Sequence, residues 1–168
     1  MTPASYDELV ELWGADNVIH FPVGDLLDVI EFGPASLPPD GAMPLEVPDV
    51  FTVVVGDEDD DLEVFNQLLL ETPGLPTTRL VVVGAVPDDS DRLFTVDAET
   101  GAVLLLDRGE MTIELVNTTF ALFVEFLYRV GCSTPDAVRE DLEILDLGAL
   151  ANPDSWWSST LRRLSADV

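Results

Sequence analysis

The sequence predicts an α+β fold, with an antiparallel or mixed sheet of about five strands packed against helices drawn from both ends of the chain. Three observations predict it. Between Arg79 and Val116, apolar and β-branched runs follow one another at hairpin spacing. Helix-start signals with a 3.6-residue apolar period stand before Gly14 and again after Asn117. Apolar residues make up 47% of the 168 residues, enough for one buried core in a single domain over 1–168.

The first element is a short helix. Ser5-Tyr6-Asp7-Glu8 has capping-box spacing, in which the serine hydroxyl and the glutamate each satisfy a backbone N–H of the first turn. Tyr6, Leu9, Val10 and Trp13 follow on one face, and Gly14 is a natural stop. Val18 to Phe21 reads as a strand, and Asp25 to Phe32 as a second helix rich in Leu26, Leu27, Val29 and Ile30. Pro34, Pro38, Pro39, Pro44 and Pro48 then interrupt regular structure across segment 33–49, because proline has no N–H to give a ladder or helix. Phe51 to Val55 is a β-branched strand closed by Gly56. The acidic run Asp57 to Asp61 precedes Leu62, Phe65, Leu68 and Leu69, whose spacing predicts a helix with those acids at its positive end.

From Arg79 the pattern is most legible. Leu80 to Val83 is a buried strand ending at Gly84. Leu93–Val96 and Ala102–Leu106 are strands joined by Asp97-Ala98-Glu99-Thr100-Gly101, a hairpin loop with glycine at the left-handed position. Met111 to Val116 is a further strand. Asn117 then caps a helix with Phe120, Phe123, Val124, Leu127 and Tyr128 on one face. Two more helices follow, Pro135–Leu145 and Ser155–Leu164, separated by the Asn152-Pro153-Asp154 breaker.

Charge narrows the function. There are 33 acidic residues against seven basic ones, no lysine, and a net charge of −26. Such a surface repels nucleic acid and anionic lipid and attracts cationic proteins, so a basic protein is the expected partner, with neither nucleic acid nor membrane. Solubility, adaptation to high salt and coding bias lead to the same composition. One cysteine, Cys132, rules out an intramolecular disulfide and fits a reducing cytoplasm. The N-terminal residues lack the basic and apolar regions of a signal peptide, and no apolar run reaches the ~20 residues of a membrane helix. The expectation is a cytoplasmic protein whose oligomeric state is open.

Catalytic chemistry finds little to work with, and the expectation is no enzyme and no cofactor. His20 is the only histidine and sits in an apolar strand, where a structural role outweighs a nucleophile's base. No Gly-x-Ser-x-Gly elbow occurs, and a phosphate loop would need a lysine. Cys132 reads as a small packing residue. Asp57, Asp59 and Asp61 alternate like the start of a calcium loop, but Leu62 stands where glycine is needed and Leu68 where a bidentate glutamate is needed. With one histidine and one cysteine, no zinc site is expected. Asp88, Asp89 and Asp91 form a second acidic group in the loop after the Leu80–Val83 strand.

The block from Arg79 to Leu127 resembles the SUKH superfamily, and within it the fourth immunity-protein subfamily. Carrying the likeness are Leu80-Val81-Val82-Val83-Gly84, then Leu93-Phe94-Thr95-Val96-Asp97 and Thr100-Gly101-Ala102-Val103. Val116-Asn117-Thr118-Thr119-Phe120 follows, with Phe123 and Leu127 on the next helix. Asn152-Pro153-Asp154-Ser155-Trp156-Trp157 is similar to the family's last helix, which starts near a proline and carries tryptophan. In the N-terminal half, Glu31-Phe32-Gly33-Pro34 and Leu37-Pro38-Pro39 stand where the family commonly shows a Phe-Leu helix running into Gly-Leu-Pro.

The resemblance implies a SUKH-like fold and a non-catalytic immunity protein that binds and neutralises a cognate bacterial polymorphic toxin. Many such toxins are nucleases or deaminases. A nuclease must hold a polyanion and so presents a basic cleft, which an acidic inhibitor is suited to cover. Asp57, Glu58, Asp59, Asp60 and Asp61, with Asp88, Asp89 and Asp91, are the expected contact residues, and Trp156 is a candidate anchor. The alternatives are an adaptor of the same fold bound to a non-toxin partner, an acidic mimic of nucleic acid, and a carboxylate-based, metal-assisted hydrolase.

Overall fold

A computed structural model describes residues 4–22, 24, 30–31, 37–38, 41–53, 64–71, 73–87, 89–151 and 153–166. The capping box forms: α1 (Tyr6–Trp13) begins at Ser5, whose hydroxyl accepts from the Glu8 N–H while the Glu8 carboxylate accepts from the Ser5 N–H. Gly14 ends the helix at φ 87°, a conformation that favours glycine. A 3-10 turn (Ala15–Asn17) leads into β1 (Val18–His20), which pairs antiparallel with β2 (Ala42–Pro44) in a small two-stranded sheet.

Within segment 33–49, the described residues 41–49 are therefore more regular than their prolines suggest. It holds β2 and also β3 (Glu46–Val47), which pairs with β4 (Phe51–Thr52). Both strands are short, and Pro44 sits at the end of one, where a missing N–H costs least. The Asn17 amide clamps the junction, donating to the Glu46 carbonyl at 2.9 Å and accepting from the Glu46 N–H at 3.1 Å. Most of the expected Asp25–Phe32 helix lies outside the described residues, as do Val54 and Val55.

The expected helix through Leu68 and Leu69 is instead a strand, β5 (Gln67–Leu70). Backbone pairing decides it. Phe65 stands at φ 69°, which no helix continues through, and its N–H donates to the Val82 carbonyl at 2.5 Å. From there β5 runs antiparallel to β6 (Thr78–Val86), with Leu68 opposite Leu80. A short run of leucines has no period of its own to resist this edge.

The main sheet has seven strands in the order β3-β4-β6-β7-β8-β9, with β5 beside β6, and every pairing is antiparallel. Its last strands are β7 (Asp89–Asp97), β8 (Val103–Asp107) and β9 (Thr112–Asn117). β6 continues through Gly84 rather than ending there. Gly84 follows a register shift, and Phe51 and Thr52 press against it. In the β7–β8 loop the Asp97 carboxylate accepts from the Glu99 N–H at 2.8 Å, and Gly101 takes φ 80°.

Helix α2 (Phe120–Cys132) is capped by Thr119, not Asn117: the Thr119 hydroxyl accepts from the Leu122 N–H at 3.1 Å. It lays Phe120, Phe123, Phe126 and Leu127 on the sheet. Helices α3 (Pro135–Leu145, capped by Thr134) and α4 (Trp156–Ala166) complete that layer, joined by a 3-10 turn (Leu147–Leu150). The four described helices thus flank the strands in the chain. One apolar cluster extends from Ala4 to Leu161, with Phe94 5.2 Å from Phe123 and 4.8 Å from Trp156, ring centre to ring centre. A smaller cluster, Val82, Ala85 and Leu93 with Leu68 against it, occupies the opposite face of the sheet.

Among the described residues, two carboxylates are buried in the helical layer, Glu125 and Asp146. Glu125, 6% exposed, accepts from the Ala4 N–H at 2.9 Å and pairs with Arg129 at 2.9 Å, and Arg129 continues to Asp141 at 2.6 Å. Burial opposes the guanidinium charge, but the hydrogen bonds it donates to Glu125 and Asp141 outweigh that and hold the Arg129 pKa above its ordinary value. The network ties the entry to α1, helix α2 and helix α3 together.

Candidate partner-binding surface

Residues directly opposite one another in antiparallel strands share a face. Phe94, Leu105 and Glu114 form one such row across β7, β8 and β9, and Arg92, Asp107 and Thr112 form the next. Phe94 and Leu105 are core residues. One row further the same face is polar and open, and a groove of about 440 Å³ lies there, with Leu105 among its lining residues and Arg92, Asp107, Glu110 and Glu114 around it. Three carboxylates against one guanidinium give it an excess of negative charge. Partial burial pushes the Glu114 pKa up, and Arg92 offsets part of that rise.

The groove is shaped by the β8–β9 turn. The Asp107 carboxylate accepts from the N–H groups of Gly109 and Glu110 at 3.0 and 3.1 Å, and Met111 takes φ 55° at the entry to β9. Asp91 reaches the same end of the sheet. Its carbonyl accepts from the Arg108 N–H at 2.7 Å, and its carboxylate lies 3.9 Å from the Arg108 guanidinium.

Of the sequence-predicted contact residues, Asp57, Glu58, Asp59, Asp60, Asp61 and Asp88 lie outside the described residues. Asp89 and Asp91 belong to β7 rather than to a loop, because β7 begins at Asp89, opposite Val86. Trp156 is 4% exposed, packed edge-on against Phe94 and Trp157, so it is part of the core. Asp107, Glu110 and Glu114 escaped the sequence reading. The signal was there: Glu114 takes the inward phase of a strand whose other inward positions lead to the buried Val116.

His20 is exposed on β1 and stacks on Tyr6 at 5.5 Å. Cys132 is exposed rather than packed, since the last residue of α2 projects beyond the helix's buried face. Among the described residues no three His, Cys, Asp or Glu side chains gather as metal ligands would, and no helix is long and apolar enough to cross a membrane.

The few cations are mostly engaged. Arg79, Arg108 and Arg129 lie against carboxylates, while Arg162 and Arg163 donate to the carbonyls of Pro153 and Asp49. Seven arginines against 33 acids leave the field strongly negative.

A family model described as SUKH-4 immunity protein matches residues 4–163. No curated protein and no solved structure matches the chain.

Proposed function

The chain belongs to the SUKH-4 immunity protein family, and from that premise we propose that it neutralises a cognate bacterial toxin by covering a cationic, nuclease- or deaminase-type surface, without chemistry of its own and in the cytoplasm of the cell it protects. The observation that carries the finer reading is the net charge of −26 on a chain without lysine. A toxin acting on nucleic acid must attract a polyanion, and an acidic inhibitor is drawn to the same cleft, with on-rates raised roughly 10- to 1000-fold at low salt. The acidic runs Asp57–Asp61 and Asp88–Asp91 supply part of that steering.

The test is an affinity capture from native cytoplasm, washed at low and at high salt, with bound proteins identified by mass spectrometry. One basic partner retained at high salt in a fixed ratio supports a dedicated toxin. A mixture of basic proteins lost at high salt points to a mimic of nucleic acid. A retained partner encoded beside no toxin-like gene points to an adaptor. With the captured toxin in hand, replacing Asp57, Asp59, Asp60 and Asp61 together by asparagine slows association and flattens its salt dependence. An unchanged on-rate removes those residues from the contact surface.

A further inference from the structure

β9 closes one side of the main sheet, and no described strand pairs with its other side. A free edge usually carries lysine, proline or a cover. Here the Leu147–Leu150 turn covers the end of β9 at Asn117 and Thr118, where Asp146 accepts from both residues. The stretch Thr112–Leu115 has no lysine or proline, contains Glu114 and is preceded by Glu110.

The two faces of that edge differ in chemistry. Ile113 and Leu115 lie opposite Leu106 and Leu104, away from the helices. Ile113 is 39% exposed, and Met111, two residues before it, is 74% exposed. The Leu147–Leu150 turn approaches the same face at Leu115: a methyl group on Gly148 would stand 3.4 Å from the Leu115 Cδ2. On the other face, Thr112 and Glu114 border the groove that holds Asp107 and Glu110, and Ile113 between them reaches its rim.

We infer that the β9 edge receives an extended segment of a cationic partner, added as a further strand, with alternate side chains apolar and basic. Side chains alternate across a strand, so one set meets Ile113 and Leu115 and the other enters the acidic groove. Main-chain hydrogen bonds supply affinity and the two side-chain sets supply specificity. The desolvated apolar row provides the anchor that exposed charge alone does not. Charge decides the occupant. Edge pairing with a second copy would set Glu110 and Glu114 against like charge on molecules of −26 each, whereas a basic strand neutralises them. This inference rests on the proposed function and names how that partner docks.

The test uses the whole protein and three nine-residue synthetic peptides: one alternating valine and arginine, one with the same residues scrambled, and one alternating valine and glutamate. The alternating basic peptide is expected to bind about tenfold tighter than the scrambled one, and to slow amide exchange at residues 112–115. Ile113→Asp removes that preference, while Asp107→Asn with Glu110→Gln weakens both basic peptides. Equal binding of the alternating and scrambled basic peptides, protection elsewhere in the chain, or protection of residues 112–115 by self-association without peptide overturns the inference. A captured toxin bound equally well by the Ile113→Asp variant overturns it while leaving the immunity reading intact. Failure to capture any toxin overturns that reading without touching the peptide result.

Discussion

The indole N–H of Trp157 donates to the side-chain oxygen of Asn117 across 2.7 Å, and both residues are fully buried. The Asn117 amide then donates to Asp146 at 2.9 Å, and the same carboxylate accepts from the Thr118 N–H at 2.9 Å. Two segments that the family likeness singled out separately, around Asn117 and around Trp157, are thus two halves of one contact. It fastens α4 to the last strand of the sheet.

Trp157→Phe keeps most of the ring volume and leaves the Asn117 oxygen without that donor in the core. The expected loss is about 1–3 kcal/mol, read as a lower urea midpoint. In a double-mutant cycle with Asn117→Ala the double variant loses less than the sum of the two single losses, because each change removes the same bond. Strict additivity would show that the contact contributes nothing.

Arg129→Met leaves the buried Glu125 carboxylate without its cation. Breaking a buried pair from one side costs about 3–5 kcal/mol, so the melting temperature falls. Adding Glu125→Gln to Arg129→Met recovers part of the loss, because no uncompensated charge then remains.

Gly84→Ala places a methyl group against the Phe51 ring and within 2.6 Å of the Thr52 carbonyl oxygen. Relieving that overlap costs about 1–3 kcal/mol. Because β4 meets β6 beside this glycine, with Thr52 opposite Ala85, amide exchange should quicken first in β3 and β4.

Burial raises the Glu114 pKa above its ordinary value in the native state, with Arg92 offsetting part of the rise. The native protein therefore binds this proton more tightly than the unfolded chain, and stability falls as pH rises from the unfolded pKa through the native one. Glu114→Gln removes that loss. It should raise the urea midpoint at neutral pH and make no difference below about pH 4.

The sequence revealed most where pattern and turn chemistry agreed. The capping box at Ser5, the Asp97–Gly101 loop and Pro135 at the start of α3 are local signals whose chemistry does not depend on distant neighbours. The readings that failed needed distant partners. β5 owes its strand to an edge of β6, β2 and β3 owe theirs to β1 and β4, and no local rule separates Asn117 from Thr119 as the cap until Trp157 and Asp146 claim the asparagine. The groove was hidden for a related reason. Asp107, Glu110 and Glu114 are ordinary acids among 33, and only the register of β8 against β9 sets them together.

The bond between Trp157 and Asn117 also orders events during synthesis. At ribosomal elongation rates of about 5–20 residues per second, the sheet and α2 emerge seconds before α4. Until then Phe94 and Phe123 lack the tryptophan that packs on them, and Asn117 faces no indole. A nascent chain stalled before Trp156 therefore leaves Phe94 and Phe123 without that cover, and the core closes only as α4 docks.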